Sequence, residues 1–403
     1  MTPNKGFAYA YGWNIYYEKM LGICSKRNES WWASQRAWYW ALLMIICIWF
    51  PQTASLRFLW GNLNSIIDCL STNMSIAMSI VKILVLQSQR KVIGAVLTEI
   101  SGDWIPLRSK EENEIMFETA RIGRRISIMS VTLTNLMFFE YILSKVWSTI
   151  IIGANDFEAD PRLARGFLFD SYFPFATTDL AIYLPIWLGQ FFGTLLSMAS
   201  YSGPDCIVSM MVLHLCGQLR ILRCSLRHVV NGTTIKEPHL FWKNFKVIVD
   251  RHEQLNRLSL LIRDTFSSIL LVQMLVCSLT FCFQGYAMVT TLVDRDGTPI
   301  RVHNLAFNLL YAGFTVIHLF VYCYVGDRLF VESTNIPDDF YESPWYHLPA
   351  QEAKAFLFVC HRSKIPLKLT AGKFCAFNLR LFNSIMKNSM GYLSMLMAMR
   401  ERL

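Results

Sequence analysis

The chain of 403 residues holds few groups placed for covalent or metal chemistry. His214, His228, His252 and His361 stand apart, and no CxxC or Cys/His spacing joins them into a ligand set. A membrane enzyme would converge its ionisable groups in one site, whereas these are dispersed, so neither catalysis nor a metal or cofactor is expected. The 11 cysteines, Cys69 and Cys277 among them, read as small apolar residues of packed helices. What remains is a lone acid, Glu140, in an apolar run, together with stripes of methionine and aromatic residues. An acid near mid-membrane costs at least about 2.5 to 3.5 kcal/mol on insertion scales and is rarely idle. Glu140 either hydrogen-bonds a ligand or a tyrosine such as Tyr311, as the neutral acid, or it pairs with a neighbouring helix. Lys82 and Lys145 lie nearer the ends of their runs and are expected to snorkel toward water.

The elements that must position these groups follow from composition. With 53% hydrophobic and only 17% charged residues, the chain falls well short of the roughly one quarter charged that soluble folds carry. Seven runs reach the ~20 apolar residues that cross a bilayer. They cover about 37–56, 64–86, 126–152, 180–201, 261–284, 305–326 and 374–399, the last being the least apolar. The fold expected is therefore all-α, with seven transmembrane helices. A run that starts near Ala37 and is long enough to span implies that no leader peptide is removed.

Charge sets the orientation. The net charge of +9 does not form one patch, which argues against nucleic acid. Of 38 Lys and Arg, 27 fall in the N-terminal segment and the even-numbered connections, Arg263 at the edge of span five included, against 7 in the odd ones and the tail. By the positive-inside rule the N-terminus is cytoplasmic and the C-terminus extracellular, the inverse of a G-protein-coupled receptor. The sequons at Asn28, Asn73 and Asn231 fall in cytoplasmic or membrane stretches, and no cysteine falls in an outer loop, as this orientation requires.

The chain then divides into an aromatic interfacial segment (1–36), spans one to four (37–201), a cytoplasmic connection (202–260), spans five and six (261–326), a second cytoplasmic connection (327–373) and span seven with a short tail (374–403). Leucines at 213, 215, 219, 222 and 226, and apolar residues at 245, 248, 255 and 258, recur at helical spacing amid charges. Both connections thus look like helical extensions that pack on one another or on a partner chain. The acidic outer stretch with Asp156, Glu158, Asp160, Asp170 and Asp179 can concentrate cations or simply be a solvated loop.

From Phe241 onward the chain resembles the insect odorant receptors. Arg251 to Asn256 (RHEQLN), then Phe266, Ser267 and Gln273, are similar to a pattern leading into span five. Tyr322 to Leu329 (YCYVGDRL) resembles the end of span six. YESPWY from Tyr341, Arg362-Ser363, Pro366-Leu367 and LTAGKF from Leu369 match the C-terminal signature in order. Leu379, Phe382, Ser384, Ile385, Lys387 and Tyr392 continue it, and the N-terminal half adds little beyond Phe173-Pro174-Phe175. Gustatory receptors, the neighbouring family, carry a Gln-Phe after span seven's Thr-Tyr that is missing after Gly391-Tyr392. The long insertion of the obligate co-receptor between spans four and five is missing too, so the resemblance is to a ligand-tuning subunit. The resemblance implies an odorant-gated, non-selective cation channel assembled as a tetramer with that co-receptor, in the cell membrane of olfactory sensory neurons. A metabotropic receptor lacks support: no Asp/Glu-Arg-Tyr follows span three and no Asn-Pro-x-x-Tyr ends span seven. A transporter would show duplicated halves, which the spans do not.

Residues in span seven sort into faces. Ser384, Asn388, Gly391, Met395, Ala398 and Met399 share one face, small or polar at one end and apolar at the other, opposite Leu381, Ile385, Tyr392 and Leu396. Small faces permit close helix packing, but four such helices could also form a wet vestibule with a dewetting gate. The resemblance favours the pore and puts the gate at Met395 and Met399 beside Ala398. It also implies a pocket among spans two, three, four and six. The residues inferred for that pocket of a small volatile ligand are Met74, Ala77, Met78 and Val81 in span two and Glu140, Leu143, Ser144 and Trp147 in span three. Span four adds Tyr183 and Trp187, and span six adds Tyr311, Phe314, Thr315 and His318. The same stripes also fit a plain bundle core.

Overall fold

The computed structural model describes residues 5–23, 35–105, 109–152, 163–164, 166–177, 179–230, 237–293 and 299–400. Helix α1 (Lys5–Leu21) precedes span one, which is α2 (Arg36–Met44), a π-helical turn (Ile45–Trp49) and α3 (Phe50–Ser55). Span two is α4 (Leu63–Ser88), followed by α5 (Arg90–Gly102). Spans three to six lie within α6 (Lys110–Ile152), α7 (Leu180–Val229), α8 (Pro238–Val293) and α9 (Pro299–Thr334). Short helices α10 (Ile336–Tyr341) and α11 (Ala350–Ser363) lead to span seven, α12 (Leu379–Arg400). Two two-stranded antiparallel pairs complete the described elements, β1 (Leu163–Ala164) with β2 (Ser171–Tyr172) and β3 (Thr370–Ala371) with β4 (Cys375–Ala376).

Local chemistry starts these helices. Ser109 and Glu112 form a reciprocal capping box at the head of α6, each side chain accepting the other's backbone N–H at 3.1 Å. Asn62 and Asp179 cap α4 and α7 by accepting from Ser65 N and Ala181 N. The π turn of span one lies just ahead of Pro51, whose ring cannot donate the helical bond an ordinary turn would need. Gly189 and Gly193 on α7 lie so close to Cys47 and Ile48 of span one that an added Cβ would stand 2.8 Å from each side chain. Span one therefore packs on span four through small residues, as lipid-embedded helices do.

Six of the helices are long and apolar enough to cross a bilayer. The seventh, α12, is more polar because Arg380, Asn383, Lys387 and Asn388 interrupt it. Three of the spans run well past the expected boundaries: α6 begins at Lys110, α7 continues to Val229, and α8 begins at Pro238. The helical extensions expected in 202–260 are thus continuations of spans four and five. Span seven differs from expectation at its start, because residues 374–376 belong to the β3–β4 hairpin and the helix begins at Leu379. Gly372, at φ +58°, makes the turn that an L side chain would strain.

These extensions form the basic end of the bundle. Asp103, after α5, is bonded by His214 of α7 at 2.9 Å and by Arg251 of α8 at 2.7 Å. Burial alone would raise its carboxyl, but these two partners hold it below the usual range. Arg223 bonds both Glu332 and Asp339, and Arg227 bonds Asp339, tying α7 to α9 and α10. Phe241, Phe245, Phe340 and Phe356 stack beneath, the last two with ring centres 4.4 Å apart.

Candidate ligand pocket and channel face

Spans two, three, four and six enclose a cavity of about 50 Å³, lined by Thr72, Ser75, Ile76 and Ser79 of α4, Met137 and Tyr141 of α6, Thr194, Ser197, Met198 and Tyr201 of α7, and Phe307, Tyr311 and Phe314 of α9, with Phe169 above. That is room for one or two waters, whose share of the liquid is about 30 Å³ each. Met137 and Met198 are its adaptable walls, since unbranched thioethers fit irregular shapes. The polar groups of the wall are already engaged. Tyr311 donates to Ser71 O at 2.9 Å and meets Ser75 Oγ, while Ser197 donates to Ser79 Oγ at 2.9 Å and Ser79 to Ser197 O at 2.9 Å.

The roof is aromatic. Tyr141 stacks on Phe169 at 5.3 Å, lies 5.4 Å from Phe307 and donates to Leu168 O at 2.5 Å. Gln190 pins the loop that carries Phe169, accepting from Leu168 N and donating to Ser171 Oγ, both at 3.0 Å. Above the roof a polar vestibule of about 320 Å³, lined by Asp68, Lys145, Asp170 and Asn308 among others, shares Thr72, Tyr141, Phe169 and Phe307 with the cavity.

The floor is ionic. Lys82 of span two is fully buried and donates to Asp205 Oδ1 at 2.5 Å and to Tyr201 O at 2.7 Å, with its ammonium 4.1 Å from the Tyr201 ring centre. His318 Nδ1 meets Asp205 Oδ2 at 2.9 Å and its Nε2 meets Ser130 Oγ at 3.3 Å. Gln273 of span five donates to the Tyr201 hydroxyl at 2.5 Å. One tyrosine therefore forms cavity wall, cation platform and link to span five. In a medium that penalises single charges heavily, the carboxylate and ammonium survive because each is paired and the remaining donors find acceptors.

Of the residues inferred from sequence, Tyr311 and Phe314 line the cavity and Ser144 lines the vestibule. On span two the helix presents Thr72, Ser75, Ile76 and Ser79 to the cavity, while Met74, Ala77, Met78 and Val81 lie on other faces, Met78 fully buried in the core. Glu140 is half-buried and Leu143 is exposed, and the side chain of Trp147 lies outside the described residues. Tyr183 clamps the roof loop by donating to Gly166 O at 2.7 Å. Trp187 stacks on Phe191 with centres 5.6 Å apart, and Thr315 donates to Tyr311 O at 3.0 Å. His318 belongs to the floor. The expectation that Lys82 snorkels is corrected: Asp205, four residues beyond the apolar run of span four, reaches back to hold it. Sequence reasoning passed over Lys82, Asp205, Tyr201, Tyr141 and Ser79. The signal for the first two was three ionisable side chains near the same ends of spans two, four and six.

On α12, Ser384, Asn388, Gly391, Met395 and Ala398 are all exposed, and nothing lies within 4 Å of a Cβ placed on Gly391. The Met399 side chain lies outside the described residues. Leu381 and Ile385 pack on the core. Among the described residues no group of three His, Cys, Asp or Glu gathers as a metal site.

An all-α bundle of seven spans, with a cavity beneath an aromatic roof, is the architecture of a multi-pass membrane protein. The chain belongs to the 7tm Odorant receptor family, whose profile matches residues 62–390. It is 23% identical to Odorant receptor 13a of Drosophila melanogaster, over 96% of this chain and 97% of that one. It is 29% identical to the Odorant receptor coreceptor of the same fly, over 42% of this chain and 34% of that one. The fold is that of the insect olfactory receptor OR5 from Machilis hrabei, solved in complex with eugenol: TM-score 0.79, 14% identity, 98% and 99% of the two chains covered.

Proposed function

We propose that this odorant receptor chain is the ligand-binding subunit of an odorant-gated, non-selective cation channel, assembled with the family co-receptor as a tetramer, with an inverted orientation. The observation that carries the reading is the cavity among spans two, three, four and six, together with an α12 face of Ser384, Asn388, Gly391, Met395 and Ala398 that the chain itself leaves uncovered. Such a face suits a shared axis, where small and polar residues admit water and methionines close an apolar ring. The excess of basic residues at the α1 end supports a cytoplasmic N-terminus. Asn73, inside span two, is buried with its amide donating to Trp49 O at 3.3 Å and Thr53 Oγ1 at 3.0 Å, which suits a packing residue and not a glycan acceptor.

The ligand class is a small, largely apolar volatile molecule, recognised by shape with one or two directional contacts. Binding widens the cavity against Met137, Met198 and the aromatic roof. The strain passes to spans five and six, which hold α12, through Tyr201, Gln273 and Phe314. The test is co-expression with the co-receptor and current recording. Odorant-evoked current is expected only with both chains, with C-terminal and not N-terminal tags labelled on intact cells. Met395→Ser is expected to raise basal conductance by weakening the apolar constriction. Unaltered permeation and basal current in that variant would remove α12 from the pore, and the reverse labelling would remove the inverted topology.

A further inference from the structure

A second hollow, a groove of about 610 Å³, opens between spans one, three and four on the flank of the bundle, with Tyr17 and Met20 of α1 at one end. Trp40, Phe138, Leu195, Ala199 and Ser202 line it, and Met198 lines both this groove and the inner cavity. Of the side chains that line it, Phe192 and Leu195 are exposed and apolar, and Leu42, Ile46, Leu136 and Phe139, close to its lining residues in the chain, are exposed and apolar too, so the mouth faces hydrocarbon. The pore-facing helix α12 packs on spans five and six, away from these walls, so assembly about that helix leaves the groove on the lipid side.

We infer that the groove is a lateral port through which small hydrophobic molecules dissolved in the bilayer reach the cavity, with Met198 as the movable partition. The inference deepens the receptor reading and rests on it. The vestibule, the other approach, is lined by Asp68, Lys145, Asp170 and Asn308 and is shut from the cavity by packed rings. An apolar ligand is scarce there. In the bilayer each added methylene raises its concentration about fourfold, so the lateral route gains with chain length. A methionine partition suits the task because three rotatable bonds let it swing without opening the helix backbone. A pure port alters arrival and departure by the same factor, since equilibrium affinity depends only on the bound and free states.

The test replaces groove residues that do not line the cavity. Ala199→Trp fills the inner end and Leu195→Trp the mouth. Each is co-expressed with the co-receptor and given concentration jumps of aliphatic alcohols and esters of increasing chain length that activate the unaltered receptor. Onset and washout are expected to slow together by about tenfold for the longest agonists, with EC50 held within about twofold and the shortest agonists little affected. Current evoked by an agonist of the co-receptor should not change. Unslowed kinetics in Leu195→Trp, with normal surface expression, overturn the port. So does an EC50 that shifts with bilayer lipid composition while onset stays fast, which marks the groove as a lipid seat. Loss of all currents in Ala199→Trp shows misfolding of that variant, and the exposed Leu195 variant then decides. If the unaltered pair answers no odorant, the receptor reading fails first and the port with it.

Discussion

The cavity and its floor lie one helical turn apart yet are built on opposite principles. The cavity wall uses methionine, phenylalanine and hydroxyls that satisfy one another, so it offers a ligand soft volume and few fixed directions. The floor uses a lysine, an aspartate and a histidine whose donors and acceptors are matched at 2.5 to 2.9 Å. Adaptable surfaces tolerate small changes in shape, whereas a buried ion pair has one good geometry and steep losses around it. The contrast teaches where softness and rigidity reside: the wall above Tyr201 can adapt, as the proposed ligand site requires, and the register of spans two, four and six is tight below it.

The comparison is easiest to break at the floor. Asp205→Leu leaves the buried Lys82 without its charge partner, and Lys82→Met leaves Asp205 with His318 alone, a loss of up to about 3 to 5 kcal/mol. Surface expression and all currents are expected to collapse, and the double variant should recover part of both. Equal expression of singles and unaltered protein would mean the pair is not buried as described.

Next in size is Tyr201→Phe, which keeps the ring beside Lys82 but strips the acceptor from Gln273 in the interior. The amide then keeps only the weak acceptor Cys277 Sγ at 3.0 Å, a cost of about 1 kcal/mol, and the maximal response is expected to fall for every odorant. Tyr311→Phe, by contrast, should move EC50 for selected ligands with the maximum preserved. Identical behaviour of the two tyrosines would erase the distinction between wall and floor.

A third, smaller effect concerns α1, whose Glu18 is buried close to Gly203 with Oε1 unpartnered. Burial first, and then the charge of Asp205, push its carboxyl up to about 8 from its ordinary 4.5. A folded-state value raised above the unfolded one means the fold binds the extra proton. Stability is then full below about 4.5 and is lost as pH rises toward about 8. Thermal melting of the protein in nanodiscs should fall between pH 6 and 8.5, and Glu18→Gln should flatten that slope. An equally steep slope in the glutamine variant would assign the dependence to another group.

The smallest expected effect tests the soft wall. Ile76→Val removes one methylene, worth about 0.8 kcal/mol or roughly fourfold in affinity at most. Dose-response curves should shift by that much or less, in either direction across a ligand panel. A loss of a hundredfold for every ligand would show a wall as rigid as the floor.

Hydropathy and apolar spacing made the seven spans and their helical extensions legible, because these depend on composition over ~20 residues and on no contact between distant segments. The motifs that carried the resemblance are likewise visible in the chain, but their reasons are tertiary. Ser267 donates to Gly372 O and accepts from Gly372 N, which seats the hairpin before α12 on span five. Gln273 bonds Tyr201, Arg251 bonds Asp103, and Gly326 lies against the Phe377 carbonyl so closely that no Cβ fits. Which spans surround the pocket came with the resemblance, while their rotation did not. A shift of two residues, about 200° around the helix, exchanges the Met74–Val81 face of span two for the nearly opposite Thr72–Ser79 face, and apolar periodicity is too even there to choose. Lys82 shows the same limit from the side of charge. Read along the chain it sits near the end of an apolar run, where snorkelling is the cheap outcome; only the approach of Asp205 and His318 from two other helices makes burial cheaper still. Composition thus determined that the chain crosses the membrane and roughly where, because that depends on transfer from water to lipid summed over each segment. The tertiary structure alone decided which faces meet, because pairing between helices depends on side chains more than a hundred residues apart, Lys82 and Asp205 among them.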